Sequence, residues 1–284
     1  METYSSQIVK HIMTDEDFKR LSTFVYGELG IKMPYPKKVM LQCRLQKRVS
    51  DLKMSSFAEY LEYVFSKEGQ DDEMIRMIDL VTTNKTDFFR EPSHFDYLRD
   101  VVLPGLMEEK PSRKTIRIWS SACSSGEEPY TIAIVLKDFL EDYPEVDFEI
   151  FGTDISTRIL QKASLAIYTE DRITGIPIET KRKYFMRSKD PFEKTVRLIP
   201  EIRSKVVFQR MNLMDNYYDL EREFDIIFCR NVLIYFDRPS QQNVINKLAS
   251  KLRPDGYFFL GHSESITNMK VPLRQIRPTI FRKI

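Results

Sequence analysis

At 284 residues, with 42% hydrophobic and 30% charged side chains, the chain can bury one sizeable core or two modest ones and reads as an ordinary globular protein. A formal charge of +2, no run long enough for a transmembrane helix and no signal-peptide pattern at Met1-Glu-Thr-Tyr-Ser-Ser6 argue against nucleic-acid binding and direct membrane insertion. Three cysteines, Cys43, Cys123 and Cys229, cannot pair completely and lie far apart, so a reduced, cytoplasmic setting is expected.

From about Thr14 to Leu106 the pattern is helical. Thr14 with Asp17 has capping-box spacing, and Gly30 follows the first helix. A second helix begins near Pro36, and a third opens with Ser56 and Glu59 and ends before Gly69. The run from Glu73 to Val81 makes a fourth, and a fifth leads from Ser93 toward Pro104 and Gly105. Residues 1–106 are thus expected to form a helical domain with its linker.

After Pro111-Ser-Arg-Lys-Thr115 the character changes. Strand-like Ile116 to Trp119 and Phe148 to Gly152 alternate with helical Tyr130 to Leu140 and Arg158 to Leu165. Val206 to Gln209, Phe224 to Phe228 and Tyr257 to Gly261 are further strand candidates. Such alternation predicts an α/β, doubly wound, Rossmann-like parallel sheet over 107–284. Between about 168 and 205 a polar section, with Val196 to Ile199 as an edge strand, reads as a small inserted β-subdomain.

The most telling loop is Ser120-Ser-Ala-Cys-Ser-Ser-Gly-Glu-Glu-Pro-Tyr130, where a strand feeds a turn of small residues and then a helix. Small side chains let backbone approach a ligand, and the helix start offers free N–H groups. The single glycine and the adjacent Glu127 and Glu128 disfavour a phosphate and suit a cationic cofactor such as S-adenosylmethionine (SAM). The same acids could simply favour the helix N-terminus, with Pro129 preset near the first helical position.

Asp154 falls where the second sheet strand ends, the place of an acid that accepts ribose hydroxyls, although it could also cap the next helix together with Ser156. In Met211-Asn-Leu-Met-Asp215, Asn212 could meet an adenine amino group and Leu213 pack on the ring. Arg230 and Asn231 stand directly at the end of the next strand, followed by Tyr235. Leu252-Arg-Pro-Asp-Gly-Tyr257 reads as a helix stop and turn.

Three segments carry a specific resemblance: Thr82-Thr-Asn-Lys-Thr-Asp-Phe-Phe-Arg-Glu91, Ser121-Ala-Cys-Ser-Ser-Gly-Glu-Glu-Pro-Tyr130 and Phe228-Cys-Arg-Asn-Val-Leu-Ile-Tyr-Phe236, with Gly261-His-Ser-Glu264 after them. In this order they resemble the signature segments of the bacterial chemotaxis-receptor glutamate methyltransferase family, CheR. The similarity runs from about residue 14 to the end. It implies SAM as cofactor, with Asn84, Thr86, Arg90, Glu128, Asp154, Asn212, Leu213, Arg230 and Asn231 in contact with it. It also places Arg90 and Tyr235 beside the transferred methyl group. Physically, the Arg90 guanidinium could orient a carboxylate acceptor through paired bonds, or form a salt bridge to Glu91 or Asp87. Tyr235 could equally be a core tyrosine.

The implied reaction, a protein-glutamate O-methylation, needs alignment and dehydration more than acid–base help, because a carboxylate with a pKa near about 4.3 is already a nucleophile. No metal is expected: His11, His94 and His262 show no ligand spacing with the cysteines. The small side chain of Cys123 suits its turn without a nucleophilic role.

The implied partner is the helical cytoplasmic region of chemotaxis receptors, which bears acidic methylation sites. Lys37, Arg44, Lys47 and Arg48 fall within roughly a 100° arc of the second helix, either as a solvated face or as a surface that steers such a partner. On the second reading, charge reversal at Arg44 and Arg48 weakens receptor methylation and spares cofactor affinity. Family members can tether a receptor C-terminal peptide at a glycine-containing turn of the β-subdomain. The corresponding Ser188-Lys-Asp-Pro-Phe-Glu-Lys194 has no glycine, so recognition without tethering is expected, by a monomer. Two other readings are a SAM-dependent methyltransferase of a different acceptor and a non-catalytic SAM- or receptor-binding module.

Overall fold

The computed structural model describes residues 11–109, 112, 114–190 and 192–284, and divides into two compact units that meet between Thr83 and Asn84. Among the described residues no helix is long and apolar enough to cross a membrane.

The first unit holds α1 (Asp15–Leu29), α2 (Lys38–Asp51), α3 (Phe57–Phe65) and α4 (Asp72–Val81). Local chemistry sets the ends of α1. Thr14 and Asp17 form a reciprocal capping box, and Gly30 takes the left-handed conformation at φ 67°. Ser56 caps α3, while the Glu59 carboxylate turns instead to the backbone and hydroxyl of Ser55. Leu21 and Val25, Leu41 and Leu45, Tyr60 and Leu61, and Met77 supply one buried stripe from each helix.

Two of the four cations expected on the basic face of α2 have partners within the first unit. Arg44 donates to the carbonyls of Val81 and Thr82 at 2.8 Å each, satisfying carbonyls left over at the C-terminal end of α4. Arg48 forms a paired bond with Glu73, a carboxylate only 2% exposed that also accepts from the Tyr60 hydroxyl. Both arginines thus brace α2 against α4, which a helical wheel does not reveal because it shows a shared face but not the groups that pack against it. Lys37 lies in the 3-10 turn before α2, and Lys47 is exposed on it.

The second unit opens with α5 (Ser93–Tyr97), a π-type turn (Leu98–Val102) and α6 (Leu103–Glu109). The helix that leads toward Pro104 and Gly105 continues past them to Glu109. The Leu103 N–H reaches Leu98 O across the widened turn, immediately before the proline that has no N–H to donate. Phe95, Leu98, Val102 and Leu106 belong to the hydrophobic core of the sheet, in the second of the two compact units.

The chain then runs through β1 (Thr115–Ser121), α7 (Glu127–Phe139), β2 (Asp147–Asp154), α8 (Thr157–Leu165), β3 (Ile167–Thr169), α9 (Ile178–Tyr184), β4 (Phe185–Arg187), β5 (Thr195–Leu198) and α10 (Pro200–Arg203). It closes with β6 (Val206–Arg210), β7 (Phe224–Cys229), α11 (Arg238–Ser250), β8 (Leu252–Leu260), β9 (Leu273–Arg277) and β10 (Ile280–Lys283). The seven-stranded sheet has the order β6-β2-β1-β7-β8-β10-β9. Its first five strands are parallel and the last two antiparallel. Because the chain winds outward from β1 to one side and later resumes at β7 on the other, a crevice opens at the carboxyl ends of β1 and β7.

Two expectations change here. Val196 to Leu198 is the central strand of a separate three-stranded antiparallel sheet, β3-β5-β4, not its edge. Leu252 to Tyr257 is no free turn but the start of β8, where a register irregularity opposite β7 accommodates Asp255 at φ 58°.

Replacing Arg48 with alanine leaves the Glu73 carboxylate buried without its cation. Urea unfolding followed by circular dichroism should show the N-terminal unit destabilised by about 3 kcal/mol; an unchanged transition would refute the structural role of this pair.

Candidate active site

The turn between β1 and α7 holds its shape through backbone conformation. Ala122, Ser124 and Gly126 all have positive φ, and at Gly126 (φ 94°) an added Cβ would sit 3.0 Å from Ala163 Cβ and 3.1 Å from the Tyr168 hydroxyl. Glycine is required there on both counts. Asp154, at the end of β2, accepts from Ser124 N at 2.9 Å and from Ser156 N at 3.0 Å, tying the first loop to the second. Ser156, not Asp154, caps α8. The Cys123 thiol beside them is fully buried, and burial followed by the Asp154 and Glu128 charges pushes it well above its ordinary range. That thiol is no nucleophile.

The two acids at the start of α7 have different tasks. Glu127 is buried and accepts from Ser125 Oγ and from Arg172, both at 2.6 Å. Arg172 also holds Asp87 at 3.0 Å and the Thr86 carbonyl, which fixes segment 84–91 beside α7. Glu128 accepts from Ser120 Oγ at 2.7 Å and from Arg230 Nη1 at 2.9 Å.

Arg230 gathers the centre of the site. Its side chain is 1% exposed, and its Nη2 reaches Glu91 Oε2 at 2.9 Å and the Arg90 carbonyl. Its Nε is buried without a hydrogen-bond partner among the described residues. Asn231 follows at φ 58° and donates from Nδ2 to Glu91. Its backbone N–H, with those of Leu233 and Gly261, donates to the buried Glu264, whose carboxyl is raised by burial despite those bonds. An added Cβ at Gly261 would lie 2.4 Å from Asn231 Nδ2, so the ends of β7 and β8 meet there without room for a side chain. Burial raises the Glu91 carboxyl, but its bond to Arg230 and the neighbouring donors bring it below the ordinary range.

The expected cofactor residues thus divide by how they are held. Glu128, Arg230 and Asn231 are linked directly or through Glu91, while Asn84 joins the first loop through its carbonyl and Ser124 Oγ at 3.1 Å. Asn212 and Leu213 follow β6: Asn212 Oδ1 accepts from Met214 N at 3.0 Å, and Leu213 is buried. Tyr235 is half-buried in a single 3-10 turn after β7, not a core residue. Arg90 donates from Nη1 to Lys85 O at 2.9 Å; the acids expected as its alternatives are engaged by Arg230 and Arg172. Lys37, Arg44, Lys47 and Arg48 belong to the first unit.

Glu91, Arg172 and Glu264 were not expected as site-forming residues. Their partners lie far along the chain, so residue spacing carries no signal for them, although Glu91 and Glu264 fall inside the segments that carried the resemblance. A further departure concerns His94 and His262, which come together with Glu91 so that one donor atom from each lies within 4.8 Å of the others.

The donor set fits SAM: two anchored carboxylates, Glu128 and Asp154, lie either side of the first turn, the Arg230 Nε still needs an acceptor, and Leu213 adds apolar surface. Comparison with known proteins agrees. A family model described as "CheR methyltransferase, SAM binding domain" matches residues 84–281, and another described as "CheR methyltransferase, all-alpha domain" matches residues 16–82. The chain is 40% identical to the chemotaxis protein methyltransferase of Borreliella burgdorferi over 277 residues, 95% of each chain. It is 35% identical to chemotaxis protein methyltransferase 2 of Pseudomonas aeruginosa, over 94% of this chain and 93% of that one. It is 36% identical to the chemotaxis protein methyltransferase of Escherichia coli, over 91% and 87%.

Gly126→Ala tests the first turn. The added methyl group at a left-handed position should cost about 2 kcal/mol in urea unfolding of the second unit; retention of full stability would mean that the turn does not need its present shape.

Proposed function

The chain belongs to the CheR methyltransferase family, and on that premise we propose that it methylates glutamate side chains of chemotaxis receptors to glutamyl methyl esters. SAM, its cofactor, supplies an electrophilic methyl group on a sulfonium when bound. The observation that carries the assignment of the site is the convergence of segment 84–91, the first turn and the end of β7 on the buried Arg230.

In this reading Glu128 meets the ammonium at the amino-acid end of the cofactor, and Arg230 presents its unmet Nε to the carboxylate there. Asp154 receives the ribose hydroxyls, and Asn212 and Leu213 the adenine. Asn84, Thr86 and Asn231 complete the wall. Arg90, its guanidinium steered by the Lys85 carbonyl, orients the acceptor carboxylate, and Tyr235 stands beside the reacting oxygen. Because that oxygen is already ionised at neutral pH, these residues position and dehydrate it; no proton need be abstracted.

Incubation of a receptor cytoplasmic fragment with methyl-tritiated SAM should give label that mild base releases as methanol. Arg90→Ala and Tyr235→Phe should each lower kcat at least about tenfold, or about 1.4 kcal/mol, with cofactor affinity retained for Tyr235→Phe. Label stable to base would contradict an ester, and unaltered kcat would remove the two residues from the site.

For receptor recognition we propose Lys37 and Lys47 as the steering cations and no peptide tether. The turn 188–194 closes through Ser188 Oγ and Asp190 Oδ1, which accept from the N–H groups of Asp190 and Phe192, and none of its described residues has positive φ. It is therefore built differently from a turn that requires glycine. Lys37→Glu with Lys47→Glu should slow receptor methylation at low salt, while removing the receptor's C-terminal peptide should leave the wild-type rate unchanged. An unaffected double variant, or a micromolar complex with the peptide, would contradict this.

A further inference from the structure

Glu91, His94 and His262 form a cluster whose polar atoms are only partly accounted for by the methyl-transfer site. His94, on α5, is 2% exposed, and its Nε2 lies 2.8 Å from Thr279 Oγ1. That hydroxyl donates its only proton to the Pro278 carbonyl at 2.6 Å, so it must accept from His94. The His94 proton therefore resides on Nε2, and the Nδ1 of the neutral ring presents a lone pair. Nδ1 is buried without a hydrogen-bond partner and faces Glu91 Oε2 at 3.5 Å.

Two acceptors confronting each other in a buried place call for a positive charge between them. The imidazole does not supply it, since its Nδ1 makes no hydrogen bond and stands 3.5 Å from the nearest Glu91 oxygen. A third donor atom completes the arrangement: His262 Nε2 lies 3.9 Å from the same Glu91 oxygen, and the two imidazole rings meet edge to face at 4.9 Å.

From these contacts we propose that Glu91 Oε2, His94 Nδ1 and His262 Nε2 form a site for a divalent transition-metal cation of the zinc class. Two imidazoles and one carboxylate are the ligands such ions prefer, and three protein ligands leave a coordination position open to water. Ligand atoms around tetrahedral zinc stand about 3.3 Å apart. The Glu91–His94 pair already has nearly that spacing at 3.5 Å, and His262, with 53% of its side chain exposed, can swing inward to close the rest. Thr279 fixes the tautomer of His94, and Asn231 holds the other oxygen of the Glu91 carboxylate, as outer partners do in metal sites. Arg230 does not neutralise the place, because it is shared between Glu91 and Glu128 and leaves one negative charge in that trio. Metal drawn onto Glu91 would compete with Arg230 for the same oxygen and so couple this site to the cofactor crevice.

Titration calorimetry of the chelator-treated full-length protein with zinc chloride tests the site, alongside the absorption spectrum of the cobalt(II)-loaded protein. We expect one saturable site of micromolar affinity, weakened at least tenfold in His262→Ala, and a cobalt spectrum without thiolate charge transfer. The exposed His262 can be removed without disturbing the fold. Absence of saturable binding, an affinity that falls less than tenfold in His262→Ala, or a thiolate band would overturn the proposal.

Discussion

A guanidinium with 1% of its side chain exposed cannot remain uncompensated, and the arrangement of the second unit around Arg230 follows from that constraint. Glu128 answers it from the first turn of α7 and Glu91 from the segment before α5, so two distant stretches of chain are drawn to the end of β7. The Arg90 carbonyl adds a third bond and fixes the backbone next to the residue proposed to orient the substrate. Removing either acid would leave the other to balance the charge; removing the arginine would leave two acids facing each other.

Around this centre, charged side chains link loops that the parallel sheet brings side by side. Glu264 joins the ends of β7 and β8, Asp154 joins the ends of β1 and β2, and Arg172 joins the inserted section to segment 84–91. Such bonds are strong because they involve charge, and those of Glu264 and Asp154 also lie out of water. They hold the crevice in shape, which suits a methyl transfer that depends on alignment.

Much of this was legible where the determining chemistry is local. Thr14, Asp17 and Gly30 mark the limits of α1 because caps and left-handed stops act within a turn. β1, β2 and β7 were recognisable because strands covered on both faces become apolar runs, and the residues at their carboxyl ends then became site candidates. What escaped depends on contacts distant in sequence. β5 looked like an edge strand because its partners, Ile167–Thr169 and Phe185–Arg187, are too short to show a period. The hairpin of β9 and β10 escaped because arginines interrupt its apolar positions. The partners of Arg44 and Arg48 escaped because nothing in α2 reveals the carbonyls and carboxylate of α4 opposite them.

The most direct test is a crystal structure of the protein with S-adenosylhomocysteine. The adenosyl ligand should lie across the carboxyl ends of β1, β2, β6 and β7, with its amino-acid end against Glu128 and Arg230 and its ribose against Asp154. A ligand bound elsewhere, or a crevice that stays empty at saturating concentration, would contradict the assignment of this site.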